Sequence, residues 1–237
     1  MNSKINFPYI RQSSVLGNAG VVRIEIGGDG MRIGKTTALN VIADGLRGIK
    51  LKIVKSTEDW KSNPYLGDGY SGDKDALLKS QKWFAFRKWE QLSEEHKDCV
   101  VLQDVYPEMD WVYARNGLEL SLLNERQFDE YDRYYRELDW GSVGVPDLLV
   151  YLQARDDVLI DRARMVAREF EKDLNEDYYL NMKKLNREWR DGVGERMNIL
   201  DVNTDDFDFA NGDDEKEEFV GMVIERLGDN LNSLRIE

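Results

Sequence analysis

Two hydrophobic patterns take turns along the chain. Short, nearly unbroken apolar runs occur at VVRIEI (21–26), LKIVK (51–55), CVVLQ (99–103), LLVYLQA (148–154) and MNILDV (197–202), and they predict five strands. Between them, apolar residues recur every three or four positions. That spacing predicts helices over 35–47, about 74–93, the aromatic-rich region 105–140, the arginine-rich stretch 155–173, 176–190 and about 214–234. Gly48 is expected to stop the first helix. The third and fourth runs carry almost no polar residues, as strands buried on both faces do. Strand and helix alternating in this way specify an α/β fold, a five-stranded parallel sheet flanked by helices. Residues 1–19 show neither period and are expected to form a loosely docked arm before one domain spanning 20–237.

The first strand runs into GGDGMRIGKTT, a glycine cluster followed by a helix. Glycines let backbone N–H groups converge on phosphate oxygens, and the helix N-terminus adds partial positive charge. Gly28, Gly30, Gly34, Lys35, Thr36 and Thr37 are therefore candidates for holding a nucleoside triphosphate. Lys35 supplies a point charge for the β- and γ-phosphates, and the Thr36 hydroxyl is a ligand for Mg²⁺. The loop departs from G-x-x-x-x-G-K-[ST]: Asp29 stands five residues before Gly34, with Gly28 one further upstream, so the loop reads as long or shifted.

Further candidates follow the strands. Ligands of an open α/β sheet bind beyond the strand carboxyl ends, which brings in Glu58 and Asp59 after the second run and Asp104 after the third. Asp104 either supports Mg²⁺ or caps the next helix. On the long aromatic helix Gln81 projects near Phe84 and Lys88 at helical spacing, and the plain reading makes the aromatics core and Gln81 a solvated residue. Arg164 and Arg168, four apart on one predicted helix, either clamp a phosphoryl group or belong to a solvated, salt-bridged face.

Composition narrows the partners. Of 237 residues, 41% are hydrophobic and 33% charged, with a net charge of −13, which argues against duplex nucleic acid as the main partner. No apolar run is long enough to span a bilayer and no leader pattern opens the chain, so a cytoplasmic protein with no membrane partner is expected. The single cysteine, Cys99, sits in an apolar run and is expected to be buried. The single histidine, His96, has no metal-ligand cluster around it.

Taken together, these segments resemble the deoxynucleoside kinase family from about residue 20 to 208. PDLLVYLQARDDVLIDRARMVAREFE is similar to that family's fourth strand and Arg-bearing lid, and LDVNTDDF to the loop beside the donor adenine. The resemblance implies a P-loop nucleotide kinase fold with ATP and Mg²⁺ as cofactors. It further implies transfer of the γ-phosphoryl group to a deoxynucleoside 5′-hydroxyl, and a homodimer. By position it implies Glu58 as the acceptor of the 5′-hydroxyl proton, with Lys35, Arg164 and Arg168 stabilising charge. Tyr70 and Glu171 would hold the sugar, Gln81 would read the base with Lys88 nearby, and Asp205 and Phe207 would lie at the donor base.

The departures are specific. Glu58 is followed by Asp59-Trp60 where the family has Pro-Val, and Asp104 by Val105-Tyr106-Pro107 where bacterial members carry Arg-Ser. Val166 occupies one lid arginine position. Two other readings remain at this point. One is a monophosphate kinase of the thymidylate kinase type, whose phosphate loop GGDG and GKTT resemble, with Arg115 or Lys88 to neutralise an acceptor phosphate. The other is a catalytically silent nucleotide-binding module.

Overall fold

The computed structural model describes residues 5–8, 20–205, 207–232 and 234. Five strands, β1 (Val21–Gly28), β2 (Ile53–Ser56), β3 (Cys99–Asp104), β4 (Leu148–Gln153) and β5 (Ile199–Asn203), form one parallel sheet in the order β2-β3-β1-β4-β5. Among the described residues the α-helices are α1 (Lys35–Gly48), α2 (Leu66–Tyr70), α3 (Lys74–Ser93), α4 (Pro107–Glu119), α5 (Glu125–Glu137), α6 (Trp140–Val143), α7 (Asp156–Met165), α8 (Glu176–Val193), α9 (Asp213–Leu227) and α10 (Asp229–Asn232).

Central β1 pairs with β3 in the register Val21↔Cys99 and with β4 in the register Ile24↔Leu148. Every residue of β3 is buried, Cys99 included, which is why that run reads as continuously apolar. With order reversing on either side of β1, the carboxyl ends of β1, β2 and β3 converge on one edge, where ligands of this architecture bind. α1 lies against the sheet through Ala38, Leu39, Ile42, Ala43 and Leu46.

Several boundaries differ from the sequence reading. Gly48 is still helical; the chain turns at Lys50, whose φ is 67°. The arginine-rich stretch is not one helix. α7 ends at Met165, and a short 3₁₀ turn at Glu169–Glu171 follows. Met165 and Val166 continue the apolar period on paper, yet they are 82% and 53% exposed, so no packing surface carries the helix through them. The terminal helix breaks at Gly228, with φ 52°, into α9 and α10. The aromatics of α3 are not its core face: Ala85, Leu77, Leu78 and Leu92 are buried, while Phe86 is exposed and Trp83, Phe84 and Trp89 are half-buried. Of the N-terminal arm, residues 5–8 are described, and Phe7 packs its ring 5.4 Å from Trp111; the remainder lies outside the described residues.

Candidate active site

The phosphate loop begins where β1 meets β4. At Gly28 a Cβ would come 2.3 Å from the Leu152 carbonyl oxygen, so only glycine allows this approach of strand to strand. Gly28 thus shows a packing role. The irregularity at the loop's first position has its own physical account. Asp29 is fully buried and its carboxylate accepts from Arg187 Nε at 2.9 Å and Nη2 at 2.8 Å, from the Ala154 N–H at 3.0 Å and from the Tyr151 hydroxyl at 3.3 Å. A carboxylate replaces the usual glycine and fastens the loop to β4 and α8. Gly28→Ala is expected to cost about 1–3 kcal/mol and to weaken triphosphate binding. Urea unfolding and a binding titration check this, and wild-type values in both would contradict the packing account.

The rest of the loop faces a cavity of about 500 Å³ lined by Lys35, Thr36, Glu58, Asp104, Arg168 and Glu171, among others. Gly34 takes φ 105° and opens α1. Lys35 donates to the Gly30 carbonyl at 2.7 Å; burial pulls its ammonium below the usual lysine range, with Asp104 and Glu58 opposing. The Thr36 hydroxyl donates to Asp104 Oδ2 at 2.9 Å, while Asp104 Oδ1 is buried without a hydrogen-bond partner. Thr37 also lines this cavity. Val105 at φ 69°, rare for a β-branched residue, turns the chain sharply after Asp104. Glu58, half-buried, lines the cavity and has no hydrogen bond or ion pair with a described residue.

Beyond Glu58 lies a second, smaller cavity that shares Glu58, Arg168 and Glu171 with the first and adds Tyr70, Gln81, Phe84 and Asp110. Gln81 is turned inward, 4% exposed. The Tyr70 hydroxyl is 3.0 Å from that of Tyr178, its ring stacks on Phe170, and burial raises its pKa. Lys88 is elsewhere: its ammonium is buried and donates to the Asp104 carbonyl at 2.8 Å, bracing the end of β3.

Asp110, which the sequence reading passed over, is fully desolvated with Oδ2 unpartnered. Burial pushes its carboxyl up to about 7, Lys88 opposing and Glu58 and Glu108 adding to the rise. In the sequence it looks like any acidic residue in a helix's first turn, and no pattern marks it. Because its ordinary value is 3.8, the folded protein holds this proton where the unfolded chain has released it. The contribution of Asp110 to stability is therefore expected to fall as pH rises from about 4 to about 7. Asp110→Asn should flatten that part of the profile in urea melts, and an unaltered profile would contradict it.

The lid residues separate. Arg164 is exposed and pairs with Glu176 at 2.5 Å, outside the cavity. Arg168, freed from the helix, stacks its guanidinium 3.6 Å from the Trp60 ring centroid and pairs with Glu171 at 3.3 Å. The two arginines therefore share no helix face. Trp60, one of the departures noted in the sequence, is the wall on which Arg168 rests. Arg162, which the sequence reading left without a role, reaches Thr204 Oγ1 at 2.6 Å and its carbonyl at 2.9 Å, tying α7 to the loop after β5. In that loop the Asp205 carboxylate accepts the Arg155 N–H at 2.9 Å, and Phe207 joins Phe209 and Phe219; Phe209 lies against Gly34 of the phosphate loop.

Comparison with known proteins places the chain among kinases of deoxynucleosides. Residues 25–227 match the family model described as deoxynucleoside kinase. A deoxyadenosine kinase from Dictyostelium discoideum is 24% identical over 177 residues, covering 73% of this chain and 69% of that one. Among solved structures, deoxyadenosine kinase from M. mycoides with products dCMP and a flexible dCDP bound superposes with a TM-score of 0.68 at 19% identity, covering 90% of this chain and 100% of the other. The same enzyme with bound dATP gives a TM-score of 0.67 at 18% identity, over 86% and 100%.

Proposed function

This chain belongs to the deoxynucleoside kinase family, and from that premise we propose that it transfers the γ-phosphoryl group of ATP to the 5′-hydroxyl of a deoxynucleoside. The observation that carries this reading is the position of Glu58, which lines both the cavity of the phosphate loop and the smaller cavity of Tyr70, Gln81 and Asp110. A carboxylate between the two is where an acceptor hydroxyl must lose its proton. As the 5′-oxygen forms its bond to the γ-phosphorus, Glu58 accepts the hydroxyl proton, the bond from that phosphorus to the bridging oxygen breaks, and ADP leaves. Lys35 and Arg168 offset charge on the phosphoryl oxygens. Thr36 and Asp104, with its unpartnered Oδ1, would hold Mg²⁺, which supplies charge neutralisation on the triphosphate when bound.

Tyr70 and Glu171 hold the sugar in this reading, and Gln81 with Asp110 reads the base edge. The proton on Asp110 gives it both a donor and an acceptor near neutral pH. The relatives named deoxyadenosine kinase support deoxyadenosine as the first acceptor to try. Asp205 and Phe207 border the donor base. The working unit in this reading is a cytoplasmic homodimer of one catalytic domain, 20–237, preceded by the arm 1–19. The half-exposed Trp83 and Trp89 and the exposed Phe86 of α3 support the homodimer, and among the described residues no helix is long and apolar enough to cross a membrane.

Gln81→Ala tests the acceptor assignment. It is expected to raise KM for the deoxynucleoside about tenfold, a loss of roughly 1.4 kcal/mol, with KM for MgATP unchanged. An unchanged nucleoside KM would remove Gln81 from the pocket's chemistry.

A further inference from the structure

Arg32 stands inside the phosphate loop with φ 58°, a left-handed conformation that costs an arginine about 1 kcal/mol where glycine would sit freely. A strained position carrying a long cationic side chain calls for a reason. The guanidinium lines the same cavity as Lys35, Thr36 and Glu58, only 21% of the side chain is exposed, and its buried Nε has no hydrogen-bond partner. Its Nη2 pairs with Oε2 of Glu171, a carboxylate 1% exposed. The same carboxylate also takes the Arg168 N–H at 2.9 Å and the Arg168 guanidinium at 3.3 Å. Glu171 is thus held by both arginines. Meanwhile the turn after β3, Val105-Tyr106-Pro107, brings no cation to the cavity.

We propose that Arg32 is a further catalytic residue of this chain: on triphosphate binding it exchanges Glu171 for the γ-phosphoryl oxygens, leaving Glu171 free for the acceptor sugar. This deepens the kinase reading above and rests on it for the role of Glu171. The contact with the γ-phosphate needs no acceptor at all. The physical basis is that a forked guanidinium binds carboxylate and phosphoryl oxygens with the same geometry, and a dianionic terminal phosphate draws it more strongly than a carboxylate shared with Arg168. The loop backbone already holds the side chain in the cavity, so little ordering accompanies the exchange.

The test compares binding of MgADP and of the non-hydrolysable β,γ-imido analogue of MgATP to wild type, Arg32→Gly and Arg32→Lys, by calorimetry. Arg32→Gly relieves the backbone strain, so the variant is expected to remain folded, which circular dichroism verifies. The preference of wild type for the triphosphate over the diphosphate should shrink about tenfold or more in Arg32→Gly, with MgADP affinity unchanged and Arg32→Lys in between. Turnover of Arg32→Gly with a deoxynucleoside should fall about 100-fold. Equal losses for both nucleotides, or no loss for either, would overturn the proposal. Wild-type turnover measured alongside judges the kinase reading separately, because the ratio of triphosphate to diphosphate affinity involves no nucleoside.

Discussion

Glu58→Gln is expected to abolish phosphoryl transfer, lowering kcat by about 10²–10⁴-fold, while nucleoside and MgATP affinities stay within roughly a factor of two of wild type. Glutamine keeps the volume of the side chain and its place between the two cavities, but it cannot accept the 5′-hydroxyl proton. Because Glu58 has no structural hydrogen bond or ion pair with a described residue, the substitution should leave stability unaltered. That separates it from residues whose loss would damage the fold. Single-turnover transfer from labelled ATP, with binding measured by calorimetry, checks both halves. Turnover near wild type would take the proton-accepting role away from Glu58.

Arg187→Met should have the largest effect on stability. It leaves the Asp29 carboxylate buried with only the Ala154 N–H and the Tyr151 hydroxyl as partners. Breaking a buried pair by removing one member costs about 3–5 kcal/mol. The lower end applies here, because Arg187 is itself 45% exposed and water can enter where it was. Asp29 is the first residue of the phosphate loop, so MgATP affinity should fall together with the urea midpoint. Arg187→Lys keeps the charge and loses the bidentate fork, and should lie between the two. A midpoint unchanged in Arg187→Met would mean that Asp29 does not anchor the loop.

The sheet was legible from apolar runs alone, because parallel strands covered on both faces leave little room for polar residues. Cys99–Asp104 and Leu148–Gln153 matched their runs almost residue for residue. The phosphate loop was legible as a motif but not as a structure. Asp29 looked like a defect because the arginine that satisfies it lies more than a hundred residues later, on α8. Gln81 lies on the stripe of Leu77, Leu78, Ala85 and Leu92, but the large aromatics at 83, 84, 86 and 89 suggest a different core face, and the true one shows only once Phe86 is seen exposed and Trp83, Phe84 and Trp89 half-buried. Its inward position follows the 77-81-85-88-92 spacing of the buried face.

The lid shows the opposite failure. Met165 and Val166 extend the apolar period, so sequence ran one helix through Arg164 and Arg168, and the exposure of both residues explains why the helix ends there. Arg32 went unnoticed because its meaning depends on a backbone angle and on Glu171, neither of which spacing reveals. Asp110 and the Lys88 contact to the Asp104 carbonyl belong to the same class, set by burial in the folded chain.

The most direct test of the account is the product formed from γ-labelled ATP and Mg²⁺ with a panel of deoxynucleosides and their monophosphates, identified by mass. The account predicts a labelled deoxynucleoside 5′-monophosphate. Labelled diphosphate from the monophosphates alone, or no transfer despite measurable ATP binding, would contradict it.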